Sequence, residues 1–356
     1  MPVIRSVSTV DLPCQVSQQD TMRVVREMFK DHFYDIDRLL TVFGNGQIEN
    51  RNLVKPLEWF TGDHSFQERN DIYIKEAVSL GSKAVACCLK ENDLTANQID
   101  AIIYVSSSGL ATPSIEARIM NMLKFSAHTK RIPLWGLGCA GGAAGISRAH
   151  EYCLAYPGAR VLVLCVELCS LTFQREDTTK SNLIGTSLFS DGVACALIEG
   201  DQIETNEKKE KAYPNTKAVQ STLMRDSEDV MGWDVKDNGL NVIFSRDIPS
   251  IIESWLKPNV EEFLLTISKT IEEISYFVAH PGGKKVLTAY EKAMSFTEAK
   301  TEDSRKVLAH YGNMSSPTVL YVLKETMNKQ PVAGEEGLLT ALGPGFSSEL
   351  VWLEWK

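Results

Sequence analysis

Three residues whose types act together in covalent catalysis occupy similar positions in this chain: a cysteine, a histidine and an asparagine. Cys139 follows an apolar run, Ile132 to Leu137, that predicts a buried strand, and a turn of small residues then places it at a helix start. Backbone N–H groups and the helix dipole favour a thiolate there, and a neighbouring histidine could hold it ionised near neutral pH. Cys139 is therefore a candidate nucleophile, although most unpaired cysteines are simply small buried apolar residues.

His280 and Asn313 show the same placement. His280 ends the apolar strand pattern ISYFVAH and precedes Pro281-Gly282-Gly283, while Asn313 follows Gly312 just ahead of a helix. A cysteine, a histidine and an asparagine at such junctions can act as nucleophile, base and oxyanion donor. Each also has a structural alternative, because His280 could satisfy a backbone carbonyl and Asn313 could cap the following helix.

The elements that must position these residues alternate between strand and helix, which predicts a parallel sheet. In the first half the patterns predict a strand at 2–9, helices starting at Ser17 and Ile36, a helix at 71–90, a strand at 99–105, a helix at 114–123 and a strand at 160–166. In the second half they predict strands at 218–224 and 274–279, helices from about 249, after 284 and at 316–327, and strands at 338–342 and 349–355.

A charged stretch, 201–217, is nearly free of apolar residues and predicts a surface connection between two halves, 1–205 and 206–356. The chain length of 356 residues allows two domains or one large duplicated one. Both halves mix strand and helix in the same way, so the expected class is α/β.

Composition narrows the class of protein further. A net charge of −9 argues against a nucleic-acid partner, and the eight cysteines lack a metal-binding spacing, so we expect reduced thiols and no metal site. No apolar run reaches membrane-spanning length and the first residues do not form a secretory signal, which predicts a cytoplasmic protein without an integral membrane segment.

Taken with their flanking residues, the three motifs resemble the type III polyketide synthases, the chalcone and stilbene synthase family. The resemblance runs from about Val3 to Trp355 and rests on GLGCAGGAAG around the cysteine, VAHPGGKKVL around the histidine, YGNMSSPTVL around the asparagine, and the loop ALGPGFSSE. Further stretches, GNGQIENR, TPSIEAR, ELCSLTFQ and KSNLIGTSLF, are more similar to bacterial alkylpyrone synthases than to the plant enzymes.

The resemblance implies a thiolase-like fold, in which two similar halves pack as α/β/α/β/α layers. It implies that Cys139 accepts a starter acyl group from coenzyme A, and that His280 pairs with it as an imidazolium. His280 and Asn313 would donate hydrogen bonds to the malonyl thioester oxygen, where negative charge collects after decarboxylation. No metal or other cofactor is implied beyond the coenzyme A thioesters that serve as substrates.

Further positions carry over by motif. Phe189 matches a gatekeeping phenylalanine between the cavity and the coenzyme A tunnel, although it could instead be core packing beside Leu188. The remaining positions are those of the cavity or its vicinity (Glu167, Thr172, Ser315 and, in the glycine-proline-glycine loop, Gly345), those of a loop that approaches the partner subunit's site (Ser107, Thr112), and candidates for the coenzyme A phosphates (Arg51, Lys55, Lys284, Lys285).

Two departures from the plant enzymes bear on the product. Val242 stands where those enzymes have a second gatekeeping phenylalanine, which would open the entrance, and Trp233 replaces a cavity glycine, which would fill part of the chamber. Both changes favour a linear acyl starter with few extensions.

We therefore expect a homodimer that condenses a fatty acyl-CoA with about two malonyl-CoA units, the usual count of the family, into an alkylpyrone. The alternatives are an alkylresorcinol synthase, a ketoacyl synthase III of fatty-acid synthesis, or an inactive binding protein of the same fold. The flanks of His280 and Asn313 argue against the ketoacyl synthase, and the intact set with Cys139 argues against the inactive protein.

Overall fold

The computed structural model describes residues 1–204, 211–245 and 247–356, and the boundary predicted between 205 and 206 lies outside these ranges. The strands are β1 (Val3–Thr9), β2 (Cys14–Ser17), β3 (Asn50–Leu53), β4 (Ala101–Val105), β5 (Lys130–Leu134), β6 (Arg160–Leu168), β7 (Asp191–Glu199), β8 (Pro214–Leu223), β9 (Met231–Lys236), β10 (Gly239–Phe244), β11 (Tyr276–Ala279), β12 (Glu336–Gly343) and β13 (Ser347–Trp355). The helices are α1 (Gln18–Phe29), α2 (Ile36–Asn45), α3 (Phe66–Glu91), α4 (Ile115–Leu123), α5 (Gly141–Ala155), α6 (Lys180–Leu188), α7 (Ile248–Ile251), α8 (Lys257–Thr266), α9 (Lys284–Met294), α10 (Glu302–Tyr311) and α11 (Ser316–Asn328).

Nine of these strands form one mixed sheet in the order β11-β12-β13-β8-β1-β7-β6-β4-β5. The part of the sheet with β1, β7, β6 and β4 has the same pairing pattern as the part with β8, β13, β12 and β11. In each part the first three strands pair antiparallel (β1-β7-β6 and β8-β13-β12), and the fourth strand pairs parallel to the third (β4-β6 and β11-β12). The parts meet where Val3 pairs with Asn215. The expected duplication of the fold is therefore confirmed by the topology.

Three apolar clusters separate the layers. The central one joins α5 and α11 to both parts of the sheet, and it includes Ile146, Val319, Ile103 and Val351. A second packs α3 against the outer face of the first part, and a third packs α8 and α9 against the outer face of the second. Strands buried on both faces and separated by helices give the predicted α/β/α/β/α layering of a thiolase-like fold.

The strand before Cys139 differs from its prediction. The sequence predicts a buried strand over Ile132 to Leu137, whereas β5 ends at Leu134 and is the edge strand beside β4, with Arg131 and Pro133 exposed. Pro133 lacks a backbone N–H, and an edge strand tolerates that loss on its unpaired side. The apolar spacing thus correctly indicated a strand, but it did not indicate that this strand lies at the edge of the sheet.

The run of small residues in α5 has a packing explanation. A Cβ atom built on Gly142 would lie 2.2 Å from the backbone oxygen of Ser316 and 2.6 Å from Cγ1 of Val319. Glycine lowers helix propensity, but here it lets two buried helices touch at their first turns. The contact of α5 with α11 therefore depends on the absence of a side chain.

We predict that Gly142→Ala lowers the free energy of unfolding by about 1–3 kcal/mol, because the added methyl group overpacks this contact. Gly44→Ala is the matched control, since Gly44 lies in α2 with no atom within 4 Å of a built Cβ. It should be neutral or stabilising by up to about 1 kcal/mol. Urea unfolding of both variants measures the difference, and equal stability of Gly142→Ala and the wild type would contradict the packing explanation.

Candidate active site

Three chain segments bring the candidate residues to one place between the two halves. Cys139 lies in a 3₁₀ turn, Gly138–Ala140, that leads into α5; His280 follows the last residue of β11; and Asn313 lies between α10 and α11. Because α5 and α11 are equivalent helices of the two halves, Cys139 and Asn313 stand at corresponding positions. The duplicated fold therefore accounts for their proximity.

Cys139 and Asn313 are in direct contact. The Cys139 thiol donates a hydrogen bond to Oδ1 of Asn313 with a sulfur–oxygen distance of 3.9 Å, and the same oxygen accepts one from the backbone N–H of Ser315 at 2.8 Å. Nδ2 of Asn313 donates to the carbonyl oxygen of Gly282 at 3.1 Å. These bonds fix the amide orientation, and Asn313 does not cap α11, which begins at Ser316.

Ser315 connects this contact to the helix in a strained conformation. Its φ of 58° falls in the left-handed region that favours glycine, and this conformation costs a non-glycine residue such as serine about 1–3 kcal/mol. The conformation places the Ser315 N–H on Asn313 and the side chain on the wall of the cavity around Cys139.

His280 is buried without a hydrogen-bond partner. The side chain is 2% exposed, and within the described residues neither ring nitrogen has a partner, so His280 does not satisfy a backbone carbonyl. Two unpaired nitrogens in a buried ring carry a desolvation cost, which a substrate oxygen or an ionised sulfur would relieve. The open nitrogens are what a base or oxyanion donor needs.

Burial favours the neutral forms of both residues. It raises the pKa of the Cys139 thiol to about 12, opposed by hydrogen bonds with Ser315 and Asn313, and it lowers the pKa of His280 to about 3. Within the described residues no hydrogen bond joins the two side chains, so the thiolate–imidazolium pair stays a prediction. Forming it requires a direct contact whose attraction offsets both desolvation costs.

A chamber of about 340 Å³ adjoins Cys139. Four predicted residues line it: Phe189, Trp233, Val242 and Ser315. Others that line it were not predicted from the sequence, namely Met231, Ile243, Phe244 and Pro344. Pro344 belongs to the glycine-proline-glycine loop that the resemblance identified. Gly138, with φ of 46°, makes room for it, because a built Cβ there would lie 2.8 Å from the Pro344 ring.

An aromatic group forms one wall of this chamber. The Phe189 ring lies 5.6 Å from that of Phe244, stacked at 26°, and 5.8 Å from that of Trp233. Val242 pairs with Trp233 across the β9-β10 hairpin, and Phe244 projects from the same face of β10 two residues later. The sequence predicts an open entrance at Val242, but Phe244 supplies an aromatic ring beside it.

A second, apolar pocket of about 630 Å³ lies behind this wall. It shares Phe189, Trp233 and Val242 with the Cys139 chamber, and Thr172 also lines it. Its far side is formed by residues of α1, the 3₁₀ turn Leu57–Thr61 and α6, which the sequence did not connect with the site: Thr21, Val24, Val25, Met28, Leu57, Phe60, Asn182, Gly185 and Thr186. The amphipathic pattern of α1 predicted a helix but gave no sign of a cavity.

Glu167 and Ser107 lie beneath the nucleophile turn rather than in the chamber wall. The fully buried Glu167 carboxylate accepts hydrogen bonds from the Ser107 N–H at 3.0 Å and from the Ser316 hydroxyl at 3.1 Å. The Ser107 hydroxyl in turn accepts one from the Gly138 N–H at 3.0 Å. Burial raises the pKa of Glu167 to about 7, and the network supports the turn that presents Cys139.

Two other predicted residues lie away from the chamber. Thr112 is exposed on the loop between β4 and α4. Gly345 occupies the β12-β13 turn with φ of 70°, and its carbonyl oxygen accepts a hydrogen bond from the Ser227 hydroxyl at 2.7 Å. Neither lines the Cys139 chamber.

The prediction that Arg51 contacts coenzyme A phosphates is wrong. Its side chain is 3% exposed, and Nη1 donates to the carbonyl oxygens of Thr186 and, at 2.9 Å, of Phe189. Burial lowers the pKa of Arg51 to about 10, against the nearby Asp191 carboxylate that raises it. Arg51 therefore holds the main chain of the aromatic wall.

The lysine candidates for coenzyme A are placed differently from Arg51. Lys284 and Lys285 are exposed in the first turn of α9, and Lys55 is half-buried between β3 and the next turn. Gly283, directly before α9, faces the Leu188 side chain, so the two exposed lysines follow a segment beside Phe189. Their role stays a prediction.

The described ranges offer neither a cluster of metal ligands nor a helix suited to a membrane. No group of three or more histidine, cysteine, aspartate or glutamate side chains there could hold a metal ion. Among the helices of those ranges, none combines the length and the apolar character that crossing a bilayer requires.

We predict that His280 controls the reactivity of Cys139. Iodoacetamide should inactivate the wild type near pH 7 at a rate that changes little at higher pH, because an imidazolium partner keeps the sulfur ionised. In His280→Gln the lone buried thiol should react slowly at pH 7 and about tenfold faster with each added pH unit.

Mass spectrometry of the Cys139 peptide separates this reaction from that of other thiols, including the exposed Cys87. Cys139→Ala gives the background rate of labelling at the remaining cysteines, followed as adduct mass rather than as loss of activity. Identical pH profiles for the wild type and His280→Gln would show that the two residues are not coupled.

The comparisons with known proteins agree with this arrangement. The family model described as Chalcone and stilbene synthases, N-terminal domain, matches residues 53–202, and the model of the C-terminal domain matches residues 215–354. A protein of Bacillus subtilis (strain 168) named "Putative chalcone synthase" is 51% identical over 362 residues, which cover 100% of this chain and 99% of that protein.

A 1,3,6,8-tetrahydroxynaphthalene synthase of Streptomyces peucetius subsp. caesius is 33% identical over 353 residues, covering 99% of this chain and 93% of that enzyme. The crystal structure of the 1,3,6,8-tetrahydroxynaphthalene synthase of Streptomyces coelicolor A3(2), a type III polyketide synthase, superposes with a TM-score of 0.93 at 29% identity over 99% of each chain. Matched in both halves and over nearly its full length, this chain belongs to the chalcone and stilbene synthase family and is a type III polyketide synthase.

Proposed function

We propose that this polyketide synthase takes a long linear acyl-CoA as starter and releases an alkylpyrone after about two malonyl extensions, the usual count of its family. The observation that carries the proposal is the apolar pocket behind Phe189, Trp233 and Val242. Side chains of α1 such as Val24 and Met28 give it the apolar walls that are usual in ligand pockets. A hydrocarbon tail is the kind of group that gains most from such a site.

The residues around Cys139 suit each step of this reaction. The thiolate attacks the acyl-CoA thioester carbonyl, and the coenzyme A thiolate leaves. Malonyl-CoA then loses carbon dioxide, and the negative charge of the resulting enolate is stabilised by N–H donors of His280 and Asn313. The enolate carbon attacks the acyl carbonyl on Cys139, and the cysteine thiolate departs.

The aromatic wall favours the decarboxylation. Phe189, Phe244 and Trp233 surround the chamber with apolar surface, in which the malonyl carboxylate is poorly solvated while the carbon dioxide that it becomes is not charged. After the last extension, an enol oxygen of the chain attacks the thioester carbonyl and closes the pyrone ring, which releases the coenzyme A thiol. The limited chamber favours this early release over further extension.

We also propose that the enzyme is a homodimer. Strand β5 lies at the edge of the sheet. Three apolar side chains near it are each about half exposed: Trp135 directly after β5, and Leu154 and Tyr156 at the end of α5. An unpaired strand edge beside apolar surface favours association with another chain. Trp135 donates a hydrogen bond to the Gly109 carbonyl oxygen at 3.2 Å, which links this edge to the loop that carries Thr112.

The names of three relatives favour a different product, 1,3,6,8-tetrahydroxynaphthalene, in place of an alkylpyrone. A ladder of linear acyl-CoAs from 2 to about 20 carbons, each incubated with malonyl-CoA and analysed by mass spectrometry, distinguishes the two functions. We expect masses equal to the free acid of the starter plus two C2H2O extension units, minus one water lost on lactonisation, with long starters preferred. A single naphthalene product from malonyl-CoA alone, with no incorporation of acyl chains, would overturn the proposal.

Trp233 should limit extension, because its ring separates the chamber from the apolar pocket. We predict that Trp233→Gly still loads acyl groups on Cys139 but makes products with at least one more malonyl unit, since the joined cavities hold a longer intermediate. Val235→Gly is the control, because Val235 lies on the same strand, is exposed and lines neither cavity. Unchanged product masses together with a lowered melting temperature in Trp233→Gly would mean that the ring only stabilises the hairpin.

A further inference from the structure

Three cavities lie in series, from the Cys139 chamber outward. The Cys139 chamber adjoins the apolar pocket across Phe189, Trp233 and Val242. The apolar pocket adjoins a surface cleft of about 1,060 Å³ across Phe60, Phe173 and Ser170, which line both. A linear group that enters from Cys139 and fills the apolar pocket thus meets this second boundary next.

Two phenylalanine rings form most of the second boundary. The ring centroids of Phe60 and Phe173 lie 6.4 Å apart at an interplanar angle of 78°. Trp59 packs edge-on against Phe60 with centroids 5.0 Å apart, and Phe29 does the same against Phe173 at 6.4 Å. Both rings are therefore supported on the side away from their shared edge.

The main chain of this boundary is also fixed. The carbonyl oxygen of Phe173 accepts a hydrogen bond from Nη1 of Arg69 at 2.6 Å, and its N–H donates to the Ser170 carbonyl at 3.2 Å. The Arg69 side chain that makes this bond is 7% exposed. Removing a ring would consequently open the boundary without displacing the backbone that carries it.

The two sides of the boundary differ in chemistry. On the inner side the pocket walls are mainly apolar, from α1 and the segment around Leu53 and Leu57. On the outer side charged and polar groups join aromatic residues in lining the cleft, among them Asp63, which pairs with Arg175. Methylene groups would therefore gain more from burial on the inner side than in the cleft.

We propose that the Phe60–Phe173 pair is the end wall of the acyl site and sets the longest starter that the enzyme accepts. The inference rests on the proposed use of linear acyl-CoA starters, and it assigns their length limit to residues far from Cys139 in the sequence. A tail that reaches the two rings is fully buried. Each further methylene must displace a ring or fold back in the pocket.

The test compares kcat/KM along a series of saturated acyl-CoAs from 6 to about 20 carbons for the wild type and for Phe173→Ala. Burying two more methylenes is worth about a tenfold change in affinity, so Phe173→Ala should raise the kcat/KM ratio of a starter two carbons beyond the wild-type limit by about tenfold. Phe173→Trp should shift the limit in the opposite direction, because its larger ring occupies more of the pocket.

Phe296→Ala is the matched control. Phe296 packs edge-on against Phe277 in the outer core of the second half, with centroids 5.2 Å apart, and it lines none of the three cavities. It should lower the melting temperature while the dependence on starter length stays that of the wild type. Phe173→Leu and Phe60→Leu, which retain more volume, replace the alanine variant if that variant does not fold.

The outcomes distinguish a failure of the end-wall assignment from a failure of the proposed use of linear acyl-CoA starters. A wild type that uses linear starters, with folded Phe173 and Phe60 variants that keep its length limit, overturns the assignment of the end wall alone. A wild type that accepts no linear acyl-CoA of any length overturns the proposed function and the end wall with it. A longer limit in Phe173→Ala, a shorter one in Phe173→Trp and no shift in Phe296→Ala support the proposal.

Discussion

The contact between α5 and α11 determines where the reactive groups lie. Gly142 allows the backbone of Ser316 to approach within a distance that any side chain would prevent. Cys139 and Asn313 each stand three positions before this contact in the sequence, so one helix-to-helix approach brings the thiol and the amide together. His280 reaches the same point from β11, which pairs with the strand that follows α11. The site is a consequence of how two similar halves pack.

Much of this arrangement could be predicted from the sequence, because the signals are local. An apolar strand that ends at one polar residue before a flexible turn indicates Cys139 and His280, and the two similar strand and helix series indicate the duplicated fold. The position of β5 at the sheet edge could not be predicted, since the apolar spacing of a short strand does not say how many neighbours it has. The number of neighbours that a strand has follows only from the order of the strands in the folded sheet.

The walls of the cavities were harder to predict for the same reason. Phe60 and Phe173 come from distant segments, and neither has a local pattern that distinguishes it from ordinary core packing. Arg51 was misplaced because arginine usually lies at the surface, whereas here its guanidinium binds two backbone carbonyl groups behind Phe189. The sequence motifs therefore identified the candidate catalytic residues, while the residues that line the pockets could be identified only from the tertiary structure.

The shared wall of Phe189, Trp233 and Val242 has a consequence for how starter and product are related. These side chains line the Cys139 chamber on one face and the apolar pocket on the other, where the proposed function places the growing polyketide and the acyl tail. Since Arg51 holds the backbone of Phe189 and a hairpin partner holds Val242, the wall cannot move far toward either side without losing those bonds. A tail that fits loosely leaves room into which the chain can retract, and a tail that fills its pocket keeps the reactive end within the chamber. In the proposed function, the end wall limits the length of the starter, while this partition couples the fit of the tail to the number of extensions, so a change on either face of the partition alters both.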